Sequence, residues 1–172
     1  MKVFSSDDAN VRRGFLARIR RELRPFTAEM YRRYLNRAWG MDIGPDCMIS
    51  LKATMDRTYP RGIHIGASTA VNFGAVILAH DYTRDLHTDT HIGERCQIGA
   101  HSFIMPGVTI GDECVVAPAS VVMKDVPSNT LVAGNPARMI ERGIKTGRWG
   151  KLIRDPIPDN EPAPEAATDP AP

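Results

Sequence analysis

Apolar residues return at every sixth position through the middle of this chain. The clearest run is Ile92, Ile98, Ile104, Ile110, Val116 and Val122; the same spacing links Ile65, Val71 and Ile77 and, before them, Ile43 and Ile49. Gly follows the aliphatic residue at positions 44, 66, 93, 99 and 111. Four places after each aliphatic stands a small or compact side chain: Cys47, Ala53, Thr69, Ala75, Cys96, Ser102, Val108, Cys114, Ser120 and Val126. Two inward positions in every six suit a β-solenoid of short flat strands, in which each turn buries its apolar side only against the turns above and below. Three hexapeptides make one triangular turn. The groups are then 65, 71 and 77; 92, 98 and 104; and 110, 116 and 122, preceded by 43, 49 and Met55. The register slips twice between groups, by four residues ahead of Ile65 and by nine between Ile77 and Ile92. Insertions in a solenoid map to loops at its corners, and a long one in an otherwise strict repeat marks a functional segment.

The first 41 residues follow a helical period instead. Ser5 and Asp8 form a capping-box-like start, and Val11, Phe15, Ile19 and Leu23 make one stripe that Pro25 should end. A second helix is expected from a Thr27 cap through Met30, Tyr31, Tyr34, Leu35 and Ala38 to a stop at Gly40. This segment holds ten Lys and Arg against four acids. Its arginine face could lie on an anionic membrane surface, but a solvated face on a helix that caps the domain or meets a partner subunit is the favoured reading. From Asp155 onward the chain has five acids, no base and repeated Pro and Ala, the composition of a disordered tail. The expected organisation is a helical segment over 1–41, a β-solenoid over 42–140 with an inserted loop at 80–91, a C-terminal segment over 141–154 and a disordered tail over 155–172.

Composition narrows the class. Of 172 residues, 42% are apolar, 6% aromatic and 24% charged, with a net charge of +2. That balance excludes a chain disordered throughout and a strongly basic nucleic-acid binder. No stretch approaches the roughly 18 apolar residues of a membrane span, and the first ten residues carry acids where a signal peptide needs an apolar run, so a cytoplasmic location is expected. Cys47, Cys96 and Cys114 have no CxxC spacing and all occupy the small inward position, which makes them reduced core thiols rather than disulfide partners or zinc ligands.

The stretch IGERCQIGAHSFIMPGVTIGDECVVAPASVVMKDVPSNTLVAGNPARMI, residues 92–140, contains MPGVTIGD, KDVP and AGNPAR in that order. It resembles the hexapeptide-repeat acyltransferases, which include galactoside, maltose and serine O-acetyltransferases. The likeness covers about residues 43–140. It implies a left-handed parallel β-helix of about four to five coils preceded by α-helices; general rules for β-crossovers alone would give the right-handed form. It also implies a homotrimer with active sites between subunits, acetyl-CoA as donor in the groove between neighbouring β-helices, and a catalytic histidine in the extended loop. His80, the first residue of HDYTRDLHTDTH, stands in that place. A hydroxyl is barely nucleophilic at neutral pH. An imidazole, with an ordinary pKa near 6.5, is suited to take its proton, and backbone N–H groups can stabilise the resulting oxyanion. Attack is then direct in a ternary complex, and no Gly-x-Ser-x-Gly elbow suggests a serine intermediate.

By position, the resemblance assigns donor contacts to Ser102, Ala117 and Ser120, with Lys124 and Arg138 near the nucleotide phosphates. Small residues are equally explained by tight corners, and Met123 stands where Thr is common. Asn72 and Phe73 resemble an acceptor-pocket pair, although an Asn at a corner also suits a left-handed residue. Asp81 could bind a sugar hydroxyl, orient the imidazole or be solvated. The expected function is O-acetylation of a saccharide or related small hydroxylated acceptor, in polysaccharide biosynthesis, with no metal and no nucleic-acid partner. Alternatives are N-acetylation of an amino sugar, a zinc-dependent hydratase of the γ-carbonic-anhydrase kind using His87 and His91, or a scaffold without activity. His64 reads as structural, and His101 as an outward residue that borders the groove or is solvated.

Overall fold

The computed structural model describes the backbone of residues 15–153 and the side chains of residues 25–153. The expected helix start at Ser5 and the tail over 155–172 lie outside the described residues.

The hexapeptides form three faces of parallel strands. The first stacks Asp42–Ile43, Ile63–Ile65, Thr90–Ile92 and Thr109–Ile110, with Ile43, Ile65, Ile92 and Ile110 in one column. The second aligns Ile49, Val71, Ile98, Val116 and Val132. The third aligns Met55, Ile77, Ile104 and Val122, so Met55 does hold the register position. All three columns are buried and together form the core. Burying a β-branched side chain of this size contributes roughly 1.5–3 kcal/mol, and the columns leave little space for rings.

The compact position lies inside the corners. Cys47, Thr69, Cys96 and Cys114 are buried in one corner, and Ala75, Ser102 and Ser120 in the next. The cysteines are free; burial pushes the Cys47 thiol up to about 11. The residue just before the compact one turns left-handed, as at Ser68, Arg95 and Glu113 with φ of 55°, 51° and 56°. Each then donates its N–H to the turn beneath, Ser68 to Pro45 at 3.0 Å, Arg95 to Ala67 at 2.9 Å and Glu113 to Glu94 at 2.8 Å. Those bonds offset the roughly 1–2 kcal/mol that a side chain costs in this conformation.

Helix α1 spans Phe15–Tyr34 and runs through Pro25; a wider helical turn, Leu35–Trp39, follows and closes at left-handed Gly40. Pro25 therefore does not end the helix, and Thr27 is not its cap. A proline removes one helical bond and crowds the preceding turn, but the half beyond it is anchored by the solenoid. Leu35 is buried and Tyr31 packs on the core. Arg32 Nη1 and Asn36 Nδ2 each donate to the Ile43 carbonyl at 2.9 Å, and the Ile43 N–H donates to Asn36 Oδ1 at 3.1 Å. The helix thus satisfies the open edge of the first face. At the far end, Arg138–Arg142 adds an antiparallel strand to the second face. No described helix is long and apolar enough to cross a membrane.

The C-terminal segment descends along one corner as a strap. Thr146 Oγ1 donates to the Arg95 carbonyl at 2.6 Å, the Trp149 N–H to Ser68 at 2.7 Å and Trp149 Nε1 to Asp46 at 2.8 Å. The segment expected over 141–154 had no role on the sequence alone; its described residues, 141–153, tie three successive turns together.

Candidate active site

Both register slips open at the same corner, between the third and first faces, on successive turns. The first, after Met55, contains the short helical turn Pro60–Gly62. The second forms a hairpin pairing His80–Asp81 with Leu86–His87. Asp56 donates its N–H to the Ile77 carbonyl at 2.9 Å, which sets it beneath the root of that hairpin.

The Asp56 side chain has no solvent exposure. It accepts N–H bonds from Thr58 at 2.8 Å and Tyr59 at 3.3 Å in its own loop, and from Ala79 at 2.8 Å and His80 at 2.9 Å in the loop above. His80 Nδ1 closes on the same carboxylate. Burial pushes the Asp56 carboxyl up, but the Ala79 N–H, the His80 ring and the N–H groups of Thr58 and Tyr59 outweigh it and hold it below the usual carboxylate range. An ionised Asp56 keeps the proton on Nδ1, a tautomer assigned from this pairing, and leaves the Nε2 lone pair free. The His80 side chain is 27% exposed, open to a reactant. An imidazole held in this way by a buried carboxylate has the arrangement that general-base chemistry requires. Across the hairpin His87 stacks loosely on His80, ring centroids 6.4 Å apart, and meets the edge of Tyr59 at 5.4 Å.

The other expected residues are placed as follows. Asp81 is bound by the Arg84 guanidinium at 2.6 Å and its N–H at 3.1 Å, which lower its pKa; the imidazole is oriented by Asp56 and not by Asp81. Asn72 donates from Nδ2 to the Ile98 carbonyl at 2.9 Å, and the left-handed corner residues are Gly74 and His101 instead. Phe73 meets His101 edge-on at 5.2 Å. Ser102 and Ser120 point inward: Ser102 Oγ donates to Gly99 at 2.7 Å, and Ser120 Oγ accepts from the Gly134 N–H at 3.1 Å. Only their backbone can face a ligand. Ala117 is half-buried, while Lys124 and Arg138 are exposed. Ser102, Ala117 and Ser120 follow the second face, whereas His80 and Lys124 follow the third, so one chain places these groups at different corners.

The inserted loop is shorter than 80–91, because Thr90 and His91 already belong to the first face. His87 and His91 consequently part: His87 neighbours Tyr59 and His80, and His91 stacks on His64. The structure does not assemble them as a ligand pair. Asp56 is the residue that sequence reading missed. Its signal was available in the register: stacked residues such as Ile43 and Ile65 stand 22 apart, which sets position 56 under position 78, at the loop's root.

The bacterial transferase hexapeptide family (six repeats) matches residues 89–124. This segment carries that family's repeat. Over 113 residues the chain is 36% identical to YvoF of Bacillus subtilis, a protein named as an acetyltransferase by inference, covering 64% of this chain and 63% of YvoF. The chain thus spans less than two thirds of that relative. Among solved structures it is similar to a hexapeptide-repeat acetyltransferase from Vibrio cholerae, with a TM-score of 0.51, 27% identity and coverage of 73% of this chain and 86% of that one. It is also similar to galactoside acetyltransferase in complex with coenzyme A, with a TM-score of 0.50, 26% identity and coverage of 69% and 72%. The expected likeness to hexapeptide acyltransferases holds, and these neighbours imply the left-handed sense of the helix.

Proposed function

We propose that the protein transfers an acetyl group from acetyl-CoA to a hydroxyl of a saccharide or related small acceptor, with His80 as general base. The observation that carries this reading is the buried Asp56 carboxylate on His80 Nδ1, which leaves Nε2 free at a partly open corner. The acceptor hydroxyl gives its proton to Nε2 as its oxygen bonds to the thioester carbonyl carbon. The C–S bond then breaks, and the imidazolium returns the proton to the leaving thiolate. Ionised Asp56 favours the transient imidazolium. The likeness to galactoside acetyltransferase, solved with coenzyme A, supports the donor and a sugar acceptor. The backbone at Ser102, Ala117 and Ser120 lines the pantetheine path, Lys124 and Arg138 meet the phosphates, and Asn72 and Asp81 flank the acceptor.

A homotrimer with sites between subunits accounts for the separation of these groups within one chain. The outward positions of the third face support it: Val76, Phe103 and Val121 stand where a solvated face would carry polar residues, and Phe103 is 43% exposed. On this reading the solenoid is left-handed with four full turns and a partial fifth, and works in the cytoplasm with acetyl-CoA. The test is CoA thiol release by the full chain across a panel of sugars. His80→Ala should lower turnover by about 10² to 10⁴; undiminished turnover removes His80 from the role.

A further inference from the structure

Away from the His80 corner, the first face carries a second group of metal-capable side chains. Parallel register aligns its outward positions Asp42, His64, His91 and Thr109. The His64 and His91 rings stack with centroids 4.5 Å apart and planes 13° from parallel. Asp89, at the exit of the inserted loop, brings Oδ1 to 4.0 Å from His64 Nε2. One donor atom from each of His64, Asp89 and His91 lies within 4.8 Å of the other two. On the opposite edge of the His64 ring, Nδ1 is 3.2 Å from Asp42 Oδ2.

The geometry points to a binding site for a divalent transition-metal ion, held by His64, Asp89 and His91, with Asp42 as a positioning residue. A carboxylate on Nδ1 keeps the proton there and aims the Nε2 lone pair toward Asp89, the means by which outer carboxylates orient metal-binding imidazoles. Tetrahedral bonds of about 2.0–2.2 Å put donors roughly 3.4 Å apart. From separations of up to 4.8 Å the three donors need close by no more than about 1.4 Å, with the two stacked rings tilting toward a common point, within the rotamer freedom of side chains that are exposed or partly so. Two imidazoles and one carboxylate suit Zn²⁺, Co²⁺, Ni²⁺ or Cu²⁺ better than Mg²⁺ or Ca²⁺, which favour all-oxygen sets. Three protein ligands leave a coordination position for water. The site borders an open groove of about 600 Å³ through which a hydrated ion can enter. Occupied, it would pin the loop exit at Asp89 to the second and third turns. No step of acetyl transfer passes through it.

The experiment is calorimetric titration of the full, chelator-stripped chain with zinc chloride and nickel chloride, alongside thermal melts. One ion per chain, a dissociation constant below roughly 0.1 mM and a melting temperature that rises with metal concentration are expected. His64→Ala and His91→Gln should each weaken binding at least about 10-fold, and Asp42→Asn by about 10-fold through orientation alone. His80→Ala should bind as the parent does. Asp89→Asn, an exposed and conservative change, carries the test if a histidine variant fails to fold. Binding that survives in the His64, His91 or Asp89 variants, that disappears in His80→Ala, or that is absent up to millimolar metal overturns the site.

Discussion

Two histidines here each face an aspartate on the turn beneath, and the surroundings make the two pairs unlike. His80 rests on Asp56, whose carboxylate is sealed from solvent and also receives four backbone N–H bonds from two loops. His64 meets Asp42, a side chain 78% exposed, through one contact of 3.2 Å. The residue types are identical, yet the first pair is locked and the second can rearrange. Fixing an imidazole in the absence of any ligand takes a carboxylate that water cannot solvate and that the backbone already holds, whereas an exposed carboxylate such as Asp42 only biases the ring until an ion is bound. The four-residue and nine-residue insertions supply that setting only because they stack on one corner.

The comparison can be broken most directly at Asp56. Asp56→Asn keeps the shape and removes the charge, so kcat for acetyl transfer should fall by about 10² to 10⁴ with a smaller change in KM; a change confined to KM would end the orienting role. Asp56→Ala strips partners from several buried N–H groups as well and should destabilise the fold by about 3–5 kcal/mol in urea unfolding. A loss under about 1 kcal/mol would mean that water replaces the carboxylate.

The pH dependence of stability sharpens the contrast. The folded Asp56 pKa lies below its ordinary 3.8. Its contribution is therefore fully present above about pH 4 and is lost as pH falls through the lower, folded value. Acid unfolding of Asp56→Asn should show a shallower loss in that window than the parent. Smallest of all, Asp42→Asn should shift stability in metal-free buffer by no more than about 0.5 kcal/mol in a thermal melt, because an exposed pair contributes little.

Much of the fold was legible because a period of six has few physical solutions. The Ile and Val columns, the buried cysteines and the location of the loop all follow from which side chains can stack. The register break marked the loop that His80 opens, while the role proposed for His80 comes from the family resemblance. Asp56 was obscured because its strand ends in Met55, the least regular member of the pattern, and its partner is 24 residues away. Pro25 misled for a complementary reason: local propensity argues for a break, while Arg32, Asn36 and Leu35 bind the far half of the helix to the first turn.

The sequence by itself determined a repeating aliphatic core, its corners and the place where the repeat is interrupted, since these depend on spacing along the chain. Only the tertiary structure decided which polar groups meet across turns: Asp56 with His80, His64 with His91, and the strap with Asp46. Those pairings depend on how many residues each turn consumes and which corner absorbs the excess, and a shift of one residue there sends every side chain to another neighbour.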